Sequence, residues 1–190
     1  MNRREFINTA GSGLLFNLLA CRAKERYVSV HDFGYLQVTY LRPPGALNEG
    51  EFVASCVNCF ACAEACPRGC IVFFTESKEG DVHPHTPYIV AAVNACDLCL
   101  KCTLVCPTGS LMPIEKPEDV RMGTAIIKER ICFPFIAQSV CGACYTVCPL
   151  AAIELDKQRY PTVIVDKCVG CGLCEEVCPQ QAKAIRIFNS

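Results

Sequence analysis

The apolar positions of this chain fall in short runs that follow one rhythm. Cys66-Pro67 leads through Arg68, Gly69 and Cys70 into Ile71-Val72-Phe73-Phe74, and the same step recurs as CPTGSLMPI, CPLAAIELD and CPQQAKAIRI. Each reads as a short helical turn entering a strand. Another strand is expected in Tyr160-Pro161-Thr162-Val163-Ile164-Val165, ahead of the last such group. A further one is expected near YLQVTYL (residues 35–41), before the stiff turn Pro43-Pro44-Gly45. No apolar run reaches the roughly 18 residues of a membrane-spanning helix. Strand, cysteine loop, short helix and strand recur four times, which predicts an α+β chain of two internally repeated units.

Composition sharpens this. Eighteen of the 190 residues are cysteine and none is tryptophan, so the polypeptide alone builds a modest core and the cysteines must be read first as a framework. Sixteen of them form four copies of one ligand set. The first is Cys56, Cys59, Cys62 and Cys66. The second is Cys96, Cys99, Cys102 and Cys106. The third is Cys132, Cys141, Cys144 and Cys148, and the fourth is Cys168, Cys171, Cys174 and Cys178. Proline follows each closing cysteine, where its fixed φ and missing N–H suit a sharp turn.

Three cysteines at intervals of three wrap a loop around one [4Fe–4S] cubane, while the fourth commonly serves the neighbouring cluster of a pair. Zinc ribbons use separate C-x-x-C knuckles instead of a continuous triplet. Disulfide frameworks do not need triplets either, and cysteines three apart pair poorly. Four [4Fe–4S] clusters are therefore expected, and the spacing resembles that of bacterial ferredoxins, which implies an α+β chain of two fused bacterial-ferredoxin-like units. Only 19 residues separate Cys148 from Cys168, against 29 between Cys66 and Cys96, which favours joining third with fourth and first with second. Nesting of the second and third motifs inside the first and fourth is the alternative.

The third copy is irregular: Gln138 stands where its first cysteine should be, and Cys132 lies six residues upstream. A loop from Cys132 to Cys141 would return that thiol to the cluster, with Phe133, Pro134, Phe135 and Ile136 covering one face. The rival expectation is a three-sulfur site with Gln138 or water on the open iron. Cys70 occupies the place of Ser110 and Ala152 in other repeats and is expected to be a buried small residue. His83 and His85 lie in a proline-bounded loop, expected to be solvated, and His31 has no evident partner. No C-x-x-C-H haem motif, dinucleotide fingerprint or P-loop occurs.

Residues 1–20 have the anatomy of an export signal. Arg3 and Arg4 precede an apolar stretch, NRREFI resembles a twin-arginine motif, and Leu18-Leu19-Ala20-Cys21 resembles a lipobox that would acylate Cys21. The expected organisation is therefore a leader over 1–20, a linking segment over 21–50 and a four-cluster core over 51–190. Loss of Arg3, Arg4 and Glu5 changes the formal charge from −1 to −2. Four clusters at about −2 each would bring it to about −10, which calls for a positively charged partner and salt-sensitive association.

With these motifs, and with RPPGA at 42–46, TPY at 86–88, RMG at 121–123 and the stretched third group, the chain resembles the NapG/MauM-type ferredoxins. That resemblance implies an electron-transfer subunit in the periplasm, not an enzyme itself, relaying electrons from a membrane quinol dehydrogenase to a periplasmic reductase or dehydrogenase. The lipobox departs from that pattern and suggests tethering to a membrane face. Two other functions compete with the relay. One is a catalytic iron–sulfur subunit using an open third cluster; the other is an assembly factor for a periplasmic redox enzyme.

Overall fold

The computed structural model describes residues 27–28, 39–76, 83–137 and 139–189. The leader, Cys21, His31 and Gln138 lie outside the described residues. Among those described, no helix is long and apolar enough to cross a membrane.

Two units follow one another and share a plan of an outer strand contact around an inner hairpin. In the second unit the outer pair is β5 (Thr124–Ile127) and β8 (Ile185–Phe188), antiparallel from Thr124 opposite Phe188 to Ile127 opposite Ile185. Its inner hairpin is β6 (Ile153–Leu155) with β7 (Pro161–Val163). In the first unit the inner hairpin is β3 (Ile71–Phe74) with β4 (Pro87–Val90). β2 (Tyr40–Leu41) adds antiparallel to β4, and β1 (Tyr27–Val28) adds parallel to β3. The sheet order is β1-β3-β4-β2.

The strands expected after the first, third and fourth cysteine groups are all present, as is the one at Pro161. The expected strand after Cys106 is not: residues 111–114 make only an isolated bridge, Leu111 opposite Ala46. Pro113 cannot donate to a ladder, and Pro43 and Pro44 stand on the facing segment. Two bonds hold that contact, Leu47 N–H to the Ser110 carbonyl at 3.1 Å and Met112 N–H to the Gly45 carbonyl at 2.7 Å. Gly45, at φ +78°, passes so close to the Met112 carbonyl that any Cβ would collide with it.

Short helices place the cysteines. α1 (Glu49–Ser55) is capped by Asn48, whose Oδ1 accepts from Glu51 N–H at 3.0 Å, and has Glu49 and Glu51 in its first turn. Its Phe52 is fully buried, and the helix ends at Cys56. Helical 3-10 turns at Glu129–Ile131 and Val165–Lys167 deliver Cys132 and Cys168 in the same way. Inside the loops, α2 (Ala61–Glu64), α3 (Lys101–Leu104) and α6 (Leu173–Glu176) each carry the third cysteine of their group. Glu175, fully buried, accepts from Ile187 N–H at 2.8 Å and ties α6 to β8.

The excursion after Cys132 is not the plain loop its sequence suggests. Residues Phe133–Ala137 form a helical turn, α4, because the Cys132 carbonyl accepts from the N–H groups of Phe135 and Ile136. Pro134 is tolerated there because first-turn N–H groups have no intrahelical acceptor. The third cysteine of this group then sits on α5 (Ala143–Val147).

Candidate iron–sulfur sites

The cysteines gather in fours, and each four mixes two sequence groups. One cavity is ringed by Cys56, Cys59 and Cys62 together with Cys106. A second is ringed by Cys168, Cys171 and Cys174 together with Cys148. A third has Cys132, Cys141 and Cys144 together with Cys178. These three enclose about 340, 360 and 350 Å³, counted to their mouths, so they suit one and the same guest. The remaining four, Cys96, Cys99, Cys102 and Cys66, lie within one another's electrostatic reach. Each closing cysteine thus crosses to the other loop of its pair. First pairs with second and third with fourth; nesting is not what the chain adopts.

Backbone conformation explains three of the loops. The residues on either side of the second cysteine are left-handed: Asn58 and Phe60, Leu98 and Leu100, Gly170 and Gly172, with φ between 54° and 87°. Four of these six are not glycine, and such a residue carries a cost of roughly 1 kcal/mol or more. Alternating right- and left-handed residues turn successive N–H groups inward to make an anion-binding concavity, as at many iron–sulfur sites. The third loop lacks both left-handed residues, since neither Val140 nor Gly142 has a positive φ, Gly142 lying at −149°. There α4 occupies the longer run between Cys132 and Cys141 instead. Phe133 lines that cavity, and Phe135 stacks on Tyr160 with centroids 4.6 Å apart. Ile136, half exposed, covers nothing.

Main-chain N–H groups aim at sulfur throughout. Leu98 donates to Cys96, Leu111 to Cys106, Ala125 to Cys168, Ala152 to Cys148 and Ala184 to Cys178, all at 3.3–3.4 Å. The walls are otherwise apolar: Leu98, Leu100 and Val169 are buried, whereas Val57, 62% exposed, gives its site little cover. Burial pushes the thiols of Cys62 and Cys102 up to about 12, and those of Cys132 and Cys171 up to about 11, with neighbouring sulfurs adding to the effect. Four such sulfurs deprotonate together only around a compensating positive core.

That donor set fits a polynuclear iron core. All 17 described cysteines are unpaired, and among the described residues no three His, Cys, Asp or Glu converge tightly enough to hold a single ion. The sulfurs surround a volume instead of a point.

The two units meet where their sites approach. Cys96 N–H donates to the Cys171 carbonyl at 3.0 Å. Arg68 reaches across with Nη2 to both oxygens of Glu176 at 2.6 Å and with Nε to the Ala95 carbonyl at 2.7 Å. Glu176 in turn accepts from Ala95 N–H at 2.8 Å. This junction was not legible in the sequence, because its members lie 81 and 108 positions apart.

Cys70 was also undervalued. It is buried as expected, but its Sγ lies 3.6 Å from that of Cys66. Hydrogen bonding from Cys70 draws the Cys66 thiol down to about 5. The two loop histidines do not join any site: His83 is exposed, with Nε2 3.6 Å from Glu49, and its N–H donates to the Tyr88 hydroxyl.

Interleaved four-sulfur sites in tandem, each pair built on a hairpin with a closing strand contact, define a double dicluster ferredoxin. Residues 55–110 and 125–187 each match a family described as a 4Fe-4S dicluster domain. The chain is 38% identical over 164 residues to the ferredoxin-type protein NapG of Escherichia coli, covering 78% of this chain and 70% of that one. It is 34% identical over 200 residues to the methylamine utilization ferredoxin-type protein MauM of Methylorubrum extorquens, covering 98% and 89%. MauM of Methylophilus methylotrophus is 36% identical over 161 residues, covering 78% and 70%. The chain belongs to this NapG/MauM ferredoxin-type family: it is an iron–sulfur electron-transfer protein and not itself a catalyst.

Proposed function

We infer that the chain holds four [4Fe–4S] clusters in one line. The ligands are the sixteen cysteines of the four groups, in the crossed sets described above. The observation that carries this is the interleaving of the sites together with the Cys96–Cys171 bond that joins the two units. The order is then the Cys56 site, the Cys96 site, the Cys168 site and the Cys132 site. When bound, each cluster supplies a one-electron couple. The polypeptide fixes their sequence, excludes water with apolar walls and directs N–H groups at the sulfurs. Arg68 and Glu176 clamp the contact between the middle two sites.

Cys132 completes the third set, which supports a conduit over a catalytic site with an open iron. The electron donor is a membrane quinol dehydrogenase and the acceptor a periplasmic reductase or dehydrogenase. Residues 1–20 direct folded export by the twin-arginine route, and acylated Cys21 tethers the core to the membrane. Anaerobic purification with iron and sulfide counting tests the cluster content, with about sixteen irons per chain expected. Material without inorganic sulfide would overturn it. For the tether, Cys21→Ser should release the protein from the membrane fraction.

A further inference from the structure

Every crossed site receives at least one main-chain N–H on a sulfur, but the sites differ in their side-chain donors. Two and four residues after the closing cysteine, the repeats carry Arg68 and Cys70, Thr108 and Ser110, Leu150 and Ala152, and Gln180 and Ala182. In the first unit three of these four side chains, all but Arg68, lie on or beside a ligand sulfur. The Cys70 thiol lies 3.6 Å from Cys66, a sulfur of the Cys96 site. Thr108 Oγ1 lies 3.7 Å from Cys106 Sγ and 2.6 Å from Ser110 Oγ, a short relay onto the closing sulfur of the Cys56 site. In the second unit Leu150, Ala152 and Ala182 have no side-chain donor. Gln180 spends its amide on the Ile131 carbonyl at 2.6 Å.

A hydrogen bond to a ligand sulfur draws off negative charge and favours the reduced core, so it raises the potential. Surface charge acts in the other direction. Residues 39–120 hold five basic and ten acidic side chains, net −5, while residues 121–190 hold eight and six, net +2. The described acidic residues of the first unit are all exposed, where solvent and salt screen them. A donor within 4 Å of a ligand sulfur, one of them buried, is screened far less, and so the side-chain donors decide.

Resting on the four-cluster assignment, we propose that Cys70, Thr108 and Ser110 hold the two clusters of the first unit at higher potential than the two of the second, which gives the line a direction. Each transfer moves one electron, oxidising one core and reducing its neighbour, with no bond made or broken and no proton required. Electrons from a one-electron reducing protein enter at the Cys132 site, and an oxidising redox protein takes them from the Cys56 site.

The test is an EPR-monitored redox titration of the anaerobic holoprotein and its variants, with iron and sulfide counted in each. Cys70→Ala copies the residue already present at 152 and should move one high-potential component down, leaving the other three in place. Cys70→Ser, which keeps a donor, should restore most of that shift. Thr108→Val with Ser110→Ala should lower the second high-potential component. Should Cys70→Ala lose iron, Ala152→Ser decides, because a donor installed beside Cys148 should raise one low-potential component. Unmoved components at full iron content, or a shift confined to the low-potential pair, would overturn the proposal. Wild-type protein lacking sulfide would overturn it and the cluster assignment together.

Discussion

The first unit surrounds its inner hairpin with two further strands and closes its outer edge with a single bridge, whereas the second has a full outer ladder and a bare hairpin. Their loops differ as well. Both loops of the first unit are regular triplets with left-handed residues beside the second cysteine, but in the second unit only the loop from Cys168 is. Yet the cavities that result are nearly equal in volume. The guest fixes where sulfur must stand, and the backbone route to that point is free to vary. α4 is one such alternative route.

The sharpest way to break this equivalence is to remove closing sulfurs. If the sites are crossed, Cys178→Ala should damage the same EPR component as Cys132→Ala, with iron falling from about sixteen to about fifteen or fewer. Cys148→Ala should instead affect the component lost in Cys168→Ala. Damage to one component by both Cys148→Ala and Cys132→Ala would mean uncrossed groups.

Next in size is the packing under the first unit. Phe52 is fully buried beneath the Cys56 site, and Arg42 lies over its ring at 4.3 Å. Phe52→Ala should cost about 3–5 kcal/mol in denaturant unfolding. Its effect on iron retention should fall on the first unit and spare the second.

The junction comes third. Arg68 and Glu176 are one-quarter to one-third exposed, which tempers a bidentate pair, so Arg68→Ala should cost about 1–2 kcal/mol. Iron content should be unchanged. Stopped-flow reduction should show slower electron exchange between the components of the two units; unchanged exchange would mean that the clamp plays no part in it.

The smallest effect concerns Glu49, whose carboxyl is held below its usual 4.5 by hydrogen bonding to Arg42. A depressed folded value means that the pairing stabilises above the unfolded value and is lost as pH falls through the folded one. Wild type should melt slightly above Glu49→Gln near pH 7, and the two curves should converge below about pH 4. A gap that persists in acid would assign the effect to shape instead of charge.

Much of this was legible because ligand spacing is a property of sequence. Crossing of the closing cysteine was expected from the cysteine pattern, which left open whether the groups pair in order or nest, and three of the four post-motif strands followed from their aliphatic runs. The fourth failed at Pro113, where missing donors outweighed hydrophobic pattern. β4 and β5 were not anticipated: each is only four residues long, and Pro87, which cannot donate to a ladder, opens the first. The left-handed positions were hidden because Asn58, Phe60, Leu98 and Leu100 do not advertise them as glycine would. Cys70 looked like filler because its importance lies in what it touches, the sulfur of Cys66, which serves the site of the other loop.

The crossing of the closing cysteines also bears on biogenesis. A ribosome that has released the chain only as far as Cys66 has supplied three sulfurs of one cage and one of another, and neither can be finished until the second loop emerges, through Cys102 for one and Cys106 for the other. Metal insertion must therefore wait for a whole pair, and a nascent chain cut between the two loops of a pair would leave two cages incomplete where an uncrossed design would leave one.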